Sequence, residues 1–427
     1  MATTIIVVLL LVLIALKVPI AVSMGVTSVV YFLYLDIPMD TIVQKAFGGV
    51  NSFEMTAIPL FMFAGELMNY GGISDRLMKF ANAFLGHVRG GFAVATVFTC
   101  MVFGGAAGST LAEIAAIGPL TIPEMVRQGY KREFAAAIVG VSSELGPIIP
   151  PSVIMVIAAS LAQVSVGKML LSGVIPGLLI GVGLMIVVYV ISVLRDYPTV
   201  KQERQGWLTR WLETKNSFWA HMMNVILIGG MIVGIFTPTE TAAVAVFYCI
   251  IIGMYVYKEL KWKDLYKVCY RTAVSSAGIL IVIAMANLYA YMLTRERIGD
   301  LVATLLMGFA HSTLLVYFVM MLALIPLGML LSSTPVVMLV VPVLVPLVRK
   351  LGVDPIHFFS IVTMTALIGT LTPPVAISLY LTSQIARTKP EQTFWAMVPL
   401  IMVIYAVLIL SVFIPGILTW IPNYAYK

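Results

Sequence analysis

Four short stretches of this chain could present unpaired oxygen atoms to a cation. Two are runs of small residues inside apolar sequence, Gly104-Gly105-Ala106-Ala107-Gly108-Ser109-Thr110 and Leu331-Ser332-Ser333-Thr334-Pro335. Two are proline pairs with a glycine upstream, Leu145-Gly146-Pro147-Ile148-Ile149-Pro150-Pro151-Ser152 and Ile368-Gly369-Thr370-Leu371-Thr372-Pro373-Pro374. Proline has no N–H and clashes with the carbonyl of residue i−4, and the residue before it is pushed out of helical geometry. Adjacent prolines therefore unwind a helix near its middle. Each break frees carbonyls that an intact helix would consume, with Ser and Thr hydroxyls beside them. Such oxygens are the ligands of a hard cation such as Na⁺. The half-helix after a break turns its positive end toward the gap. One small-residue run alone would more simply be helix packing, and one proline a kink.

The pattern occurs twice at a fixed spacing of 223 residues. That offset relates Gly105 to Gly328, Ser109 to Ser332, Pro119 to Pro342, Pro123 to Pro346 and Gly129 to Gly352. It continues without a gap through Gly146 and Gly369, Pro150-Pro151 and Pro373-Pro374, Ser160 and Ser383, and Pro176 and Pro399. Interrupted apolar segments paired between two halves mark a secondary transporter and its midplane binding site.

Composition sets the surroundings. The 427 residues are 61% hydrophobic and 11% charged, against roughly 25% charged in soluble proteins. The chain reads as an all-α polytopic membrane protein, with about ten crossings plus two re-entrant hairpins arranged as two inverted repeats. No ~10-residue alternating strands of a membrane barrel are evident. Crossings are expected near 3–16, 18–35, 52–70, 134–162 and 169–194, then 218–236, 239–257, 272–294, 356–385 and 395–420. The pair 3–16 and 18–35 meets at Lys17-Val18-Pro19, where a single tilted helix is the alternative. The hairpins are 92–123 and 314–348. Irregular backbone at that depth must be buried in protein or line a wet cavity. The first residues lack a basic stretch and a cleavage site, and read as a retained helix.

With the N-terminus outside, the cytoplasmic segments hold 19 of the 26 Lys and Arg, a positive-inside bias. The net charge of +7 thus reflects cytoplasmic loops and not a nucleic-acid partner. Five crossings per half is odd, so the second half must be inverted. Hairpin 92–123 then opens from the cytoplasm and 314–348 from the periplasm, and both termini are periplasmic. The domains are 1–195, an interfacial connector 196–217 carrying Trp207 and Trp211, and 218–427. No soluble domain or long disordered tail is expected.

Glu54, Glu66, Glu113, Glu144 and Glu240 lie in or beside apolar spans, where an acid is a functional candidate by default. Glu54 and Glu240 also read as helix caps, and Glu113 as a residue bonded within its own hairpin. Asn287 and Tyr289 are further candidates. Cys100, Cys249 and Cys269 show no metal-ligand spacing and read as small apolar residues. The four histidines fall in loops or at span ends.

The run GGAAGSTLAEIAAIGPLTIPEMVRQGY with LGPIIPPSVIMVI, and in the second half FTPTETAAVAVFY (236–248) and LIGTLTPPVAISLYL (367–381), resembles the large membrane subunit of tripartite ATP-independent periplasmic (TRAP) transporters over essentially the whole chain. The resemblance implies a bacterial inner-membrane importer of a small organic carboxylate, nearest the sialic-acid branch with C4-dicarboxylates next. It implies Na⁺ coupling and an elevator-type movement of hairpins and broken helices. The partners implied are a periplasmic substrate-binding protein and a small four-helix membrane subunit, here expected on a separate chain. Carried over by motif, one Na⁺ site would comprise Gly105, Gly108, Ser109, Gly146 and Pro150. The other would comprise Ser332, Ser333, Thr334, Gly369 and Thr372. The substrate carboxylate would lie near Thr110, Ser152 and Thr334, flanked by Pro151 and Pro374. A stand-alone Na⁺/anion symporter is the first rival. A channel fits paired inverted breaks less well, and an enzyme is disfavoured by the lack of HExxH, GxSxG, GxGD or Walker A patterns.

Overall fold

A computed structural model describes residues 2–197, 206–309, 312–374 and 376–426, and among these every regular element is helical. The 223-residue offset extends to whole helices. Ile20–Tyr34 corresponds to Pro238–Ile251, and Ile73–Leu85 to Ile298–Phe309. Gly91–Ala107 corresponds to Thr313–Leu330, and Thr110–Arg127 to Ser333–Leu351. Arg132–Ser142 corresponds to Pro355–Gly369, and Val153–Ala162 to Ile377–Ala386.

Two correspondences are broken on one side only. Asp40–Val50 and Ala57–Tyr70 match the two ends of one 34-residue helix, Trp262–Arg295. Val166–Ser172 and Val174–Leu194 together match Pro390–Phe413. The latter interruption falls at Gly173, where a Cβ would run into the carbonyl of Ile148.

The pair at 3–35 is two helices, Ala2–Ala15 and Ile20–Tyr34, which pack on each other. Lys17 turns the chain between them with φ 61°. The expected crossing 395–420 is likewise two helices, Pro390–Phe413 and Gly416–Ala425, interrupted next to Pro415. Of the connector 196–217, residues 198–205 lie outside the described residues. Within its remainder, Trp207 begins the 26-residue helix Trp207–Ile232. Trp207 and Trp211 are exposed on that helix.

Among the described residues six helices are long and apolar enough to cross a membrane by length and composition. The total falls below ten because the breaks cut other apolar stretches into helices of 10–17 residues. Leucines and valines such as Leu11, Leu33, Val43, Leu194 and Leu322 stand exposed, as a lipid-facing surface requires.

The two halves are packed crosswise. Thr110–Arg127 lies against Ile377–Ala386 from the other half, and Ser333–Leu351 against Val153–Ala162. Farther out, Ile20–Tyr34 packs on Trp262–Arg295, and Pro238–Ile251 on Ala57–Tyr70. The arrangement puts both hairpin turns and both helix breaks in one central region.

Candidate functional site

Each hairpin turns at a serine. Gly108 ends Gly91–Ala107 in the left-handed region with φ 60°, and Ser109 starts the next helix from extended backbone. The second hairpin turns without a glycine: Leu331 is extended, with φ −124° and ψ 156°, and Ser332 precedes Ser333–Leu351. A serine in this position usually caps the helix, its hydroxyl oxygen accepting from a backbone N–H of the first turn. Neither Ser109 nor Ser332 makes a side-chain cap hydrogen bond, so among the described residues neither hydroxyl is taken up by capping its helix.

Glycines bring each hairpin onto the break of its own half. A Cβ on Gly104 would lie 2.8 Å from the backbone N of Gly146. A Cβ on Gly328 would lie 2.8 Å from the Cα of Gly369. Carbonyl-bearing helix ends therefore meet in pairs, Gly91–Ala107 against the stretch ending at Leu145, and Thr313–Leu330 against Pro355–Gly369. Helix C-termini carry negative potential and unused carbonyls. Gly105 would place a Cβ 3.1 Å from the Pro150 carbonyl oxygen, and Gly108 one 2.8 Å from that of Pro151.

The opposite ends of the following helices meet at a cavity of about 230 Å³. Its wall includes Ser109, Thr110 and Leu111, then Ser332, Ser333 and Thr334, then Val153 and Ile154, then Ile377 and Ser378. These are the first residues of four different helices. Four positive helix ends around one space favour an anion. Met62, Gly108, Pro147, Ile279 and Thr370 complete the lining.

Behind the cavity stands Glu144, 1% exposed. Thr110 donates to its Oε2 at 2.9 Å, and Ser378 to its Oε1 at 3.1 Å. The Thr370 hydroxyl lies 3.1 Å from the same Oε1, sharing its proton with the Leu367 carbonyl at 2.7 Å. One carboxylate from the first half thus organises a hydroxyl of the first hairpin turn and two of the second break. It also fixes polarity: the Thr110 and Ser378 protons point at Glu144, so these hydroxyls offer lone pairs to the cavity. They suit a cation or a ligand hydroxyl, and a carboxylate must find its donors on the helix ends.

Of the residues picked from sequence, Gly108, Ser109, Thr110, Ser332, Ser333 and Thr334 line the cavity. Gly105, Gly146, Pro150 and Pro151 form the buried contact behind the first hairpin turn. Gly369 sits in the matching contact, and Thr372 points its hydroxyl back to the Ile368 carbonyl at 3.4 Å. Pro374 is exposed, and its carbonyl accepts from Tyr380 at 3.1 Å. Ser152 lies behind the wall with its hydroxyl committed: it donates to the Pro147 carbonyl and accepts from the Met155 N–H.

The acids divide sharply. Glu54 and Glu240 are exposed, and Glu240 closes a capping box with Thr237. Glu66 is half-buried. Glu113 is fully buried and faces the Cys100 thiol on the first helix of its own hairpin. Asn287 donates to its own helix at Ile283, and Tyr289 is buried in the core. His357 is buried too, between Tyr317 and the Ser411 carbonyl. Thr370, though inside the second proline-pair stretch, and Ser378 were not among the site residues picked from sequence. Thr370 aligns with Pro147 at the 223 offset and Ser378 with Met155, so the repeat hid them.

Residues 7–417 match the family model described as the tripartite ATP-independent periplasmic transporter, DctM component. The chain is 37% identical over 403 residues to the isethionate TRAP transporter permease protein DctMQ of Oleidesulfovibrio alaskensis, covering 94% of this chain and 63% of that relative. It is 35% identical over 381 residues to the C4-dicarboxylate TRAP transporter large permease protein DctM of Pseudomonas aeruginosa, covering 89% and 88%. It is 30% identical over 380 residues to the sialic acid TRAP transporter large permease protein SiaM of Vibrio cholerae, covering 89% and 88%. In structure it is similar to the YdaH transporter of Alcanivorax borkumensis, with a TM-score of 0.64 over 88% of each chain and 13% identity.

Proposed function

The chain belongs to the DctM component family of tripartite ATP-independent periplasmic transporters, and from that premise we propose that it imports a small organic anion across the bacterial inner membrane with Na⁺. The observation that carries this reading is the cavity lined by four helix N-termini and two serine hydroxyls not taken up by capping. The positive helix ends receive the anion. The carbonyl-rich helix ends behind the two turns, with Ser109 and Ser332 at their edge, receive Na⁺.

The two halves work as inverted repeats, with both termini periplasmic. The hairpins and broken helices move together as the carrier, and the outer helices form the scaffold. A periplasmic binding protein delivers the substrate, and a small membrane subunit docks on the scaffold. At about 230 Å³ the cavity is smaller than the ~300–1,000 Å³ usual for drug-sized ligands. That favours a two- to four-carbon carboxylate or sulfonate over sialic acid, the substrate of the branch that the motifs resemble.

The test is uptake by vesicles holding this chain with its small subunit, fed with substrate-loaded binding protein. Uptake should require Na⁺ and follow a C4-dicarboxylate or isethionate in preference to sialate. Equal uptake in K⁺-only buffer removes the ion coupling. Full uptake of free substrate without the binding protein returns the stand-alone symporter.

A further inference from the structure

A second cavity continues from the first. Ile377, at the start of Ile377–Ala386, lines the central cavity and also a neighbouring one of about 550 Å³. Tyr380, Ser383, Gln384 and Thr388 are among the residues that wall the latter. The spacing of 377, 380 and 384 keeps those three on one face of the helix, and all three are exposed along it. The Tyr380 hydroxyl donates back to the Pro374 carbonyl at 3.1 Å, which ties the ring to the break. The donors here suit an anion. Gln384 brings an exposed amide with two N–H protons. The Ser383 hydroxyl is buried without a hydrogen-bond partner among the described residues, whereas Thr388 spends its proton on Gln392 Oε1 at 3.3 Å. Arg387 and Lys389 stand exposed just beyond, at the end of the helix that the proposed orientation places in the cytoplasm.

The matching face of the first half is apolar and closed. At the 223 offset, Ile377, Tyr380 and Gln384 correspond to Ile154, Ile157 and Leu161. All three are buried, and Ser333–Leu351 packs on their helix. A carboxylate passing such a surface would shed water without replacement, which is costly. Along Ile377–Ala386 amide and hydroxyl protons replace that water, and the two cations at the mouth draw the anion outward.

We propose that the exposed face of Ile377–Ala386 is the route by which the carried anion leaves for the cytoplasm, and that Gln384 and Ser383 form a transient carboxylate station on it. The proposal rests on the anion-import reading above. The sizes agree with it: the anion is held closely in about 230 Å³ and then loosely in about 550 Å³.

The test uses proteoliposomes holding the full chain with its small subunit, in a Cys269→Ser background. Loaded binding protein is supplied outside, and a charged, impermeant thiol reagent is trapped inside. Gln384→Cys should react and thereby lose most of its uptake of succinate. Succinate trapped with the reagent should slow that reaction, by about twofold once the station is half filled. Lys267→Cys, at an exposed position on Trp262–Arg295, should react with neither effect. Gln384→Leu gives the second half the residue of the first. It should fold normally, because the side chain is exposed, and lower the maximal uptake rate by about two- to tenfold, the worth of one hydrogen bond. Failure of Gln384→Cys to react, full uptake after it has reacted, or a reaction indifferent to succinate overturns the route. A wild-type rate in Gln384→Leu or an equal block in Lys267→Cys overturns it too. Wild-type proteoliposomes that import neither succinate nor isethionate overturn the anion-import reading instead, a result seen before any substitution is made.

Discussion

Gly328 and Gly369 touch through their backbones, so close that a Cβ on Gly328 would sit 2.8 Å from the Cα of Gly369. The contact holds the end of the second hairpin's first helix against the broken helix, and its counterpart is Gly104 on Gly146. Gly369→Ala should destabilise the folded chain by about 1–3 kcal/mol, the usual cost of overpacking, and lower transport. Gly308→Ala, with nothing within 4 Å of the added carbon, should change neither. Thermal unfolding of the two variants side by side checks this, and an unperturbed Gly369→Ala would show that the two helices can slide apart freely.

Removing the Glu144 carboxylate should strand hydroxyls in both halves at once. Each buried group left without a partner costs about 1–3 kcal/mol. Glu144→Ala should therefore lose both stability and uptake. Glu144→Gln keeps the shape but turns one acceptor into a donor facing a hydroxyl, so uptake should fall by roughly tenfold or more with a smaller loss of stability, since 1.4 kcal/mol is a factor of ten. Uptake equal to wild type in Glu144→Gln would show that hydroxyl polarity at the cavity is irrelevant.

The orientation of the halves is accessible to labelling. Arg127 and Lys350 are related by the 223 offset, and both are exposed near the ends of their hairpin helices. In a background where the exposed Cys269 is changed to Ser, Arg127→Cys and Lys350→Cys should react with an impermeant thiol reagent from opposite faces of the membrane. Reaction from the same face would make the repeats parallel.

His357 ties three helices together. Its Nε2 lies 2.9 Å from the Ser411 carbonyl, which can only accept, so Nε2 carries the proton. Nδ1 then accepts from the Tyr317 hydroxyl at 2.8 Å. His357→Leu should cost about 2–4 kcal/mol by orphaning both partners, and Tyr317→Phe should cost less because one acceptor alone is left unfilled. Denaturant unfolding of the pair measures the difference.

The breaks were legible in the sequence because glycine, proline and serine act locally. Pro150-Pro151 and Ser109 say where a helix stops whatever surrounds them, and the 223-residue spacing says it twice. Asp40–Val50 and Ile73–Leu85 escaped because hydropathy registers long apolar runs, and these helices carry Asp40, Lys45, Asp75, Arg76 and Lys79 along their lengths. The split at Gly173 depends on a carbonyl 25 residues away in sequence. Glu144 and Thr110 were visible as candidates, but their joining with Thr370 and Ser378 was out of reach for the same reason. Thr370 and Ser378 lie more than 220 residues from Glu144 in the chain, and only the crosswise packing brings them together.

That crosswise packing also bears on how the protein is made. Chains elongate at about 5–20 residues per second, and Thr110–Arg127 must wait for Ile377–Ala386, which is synthesised some 250 residues later. During that interval, on the order of tens of seconds, the newborn first half sits in the bilayer with a hairpin flank uncovered and the Glu144 carboxylate without Thr370 and Ser378. Neither half can mature as a finished module ahead of the other. A cell producing only the first half should clear it by proteolysis, and supplying the second half as a separate polypeptide should rescue it.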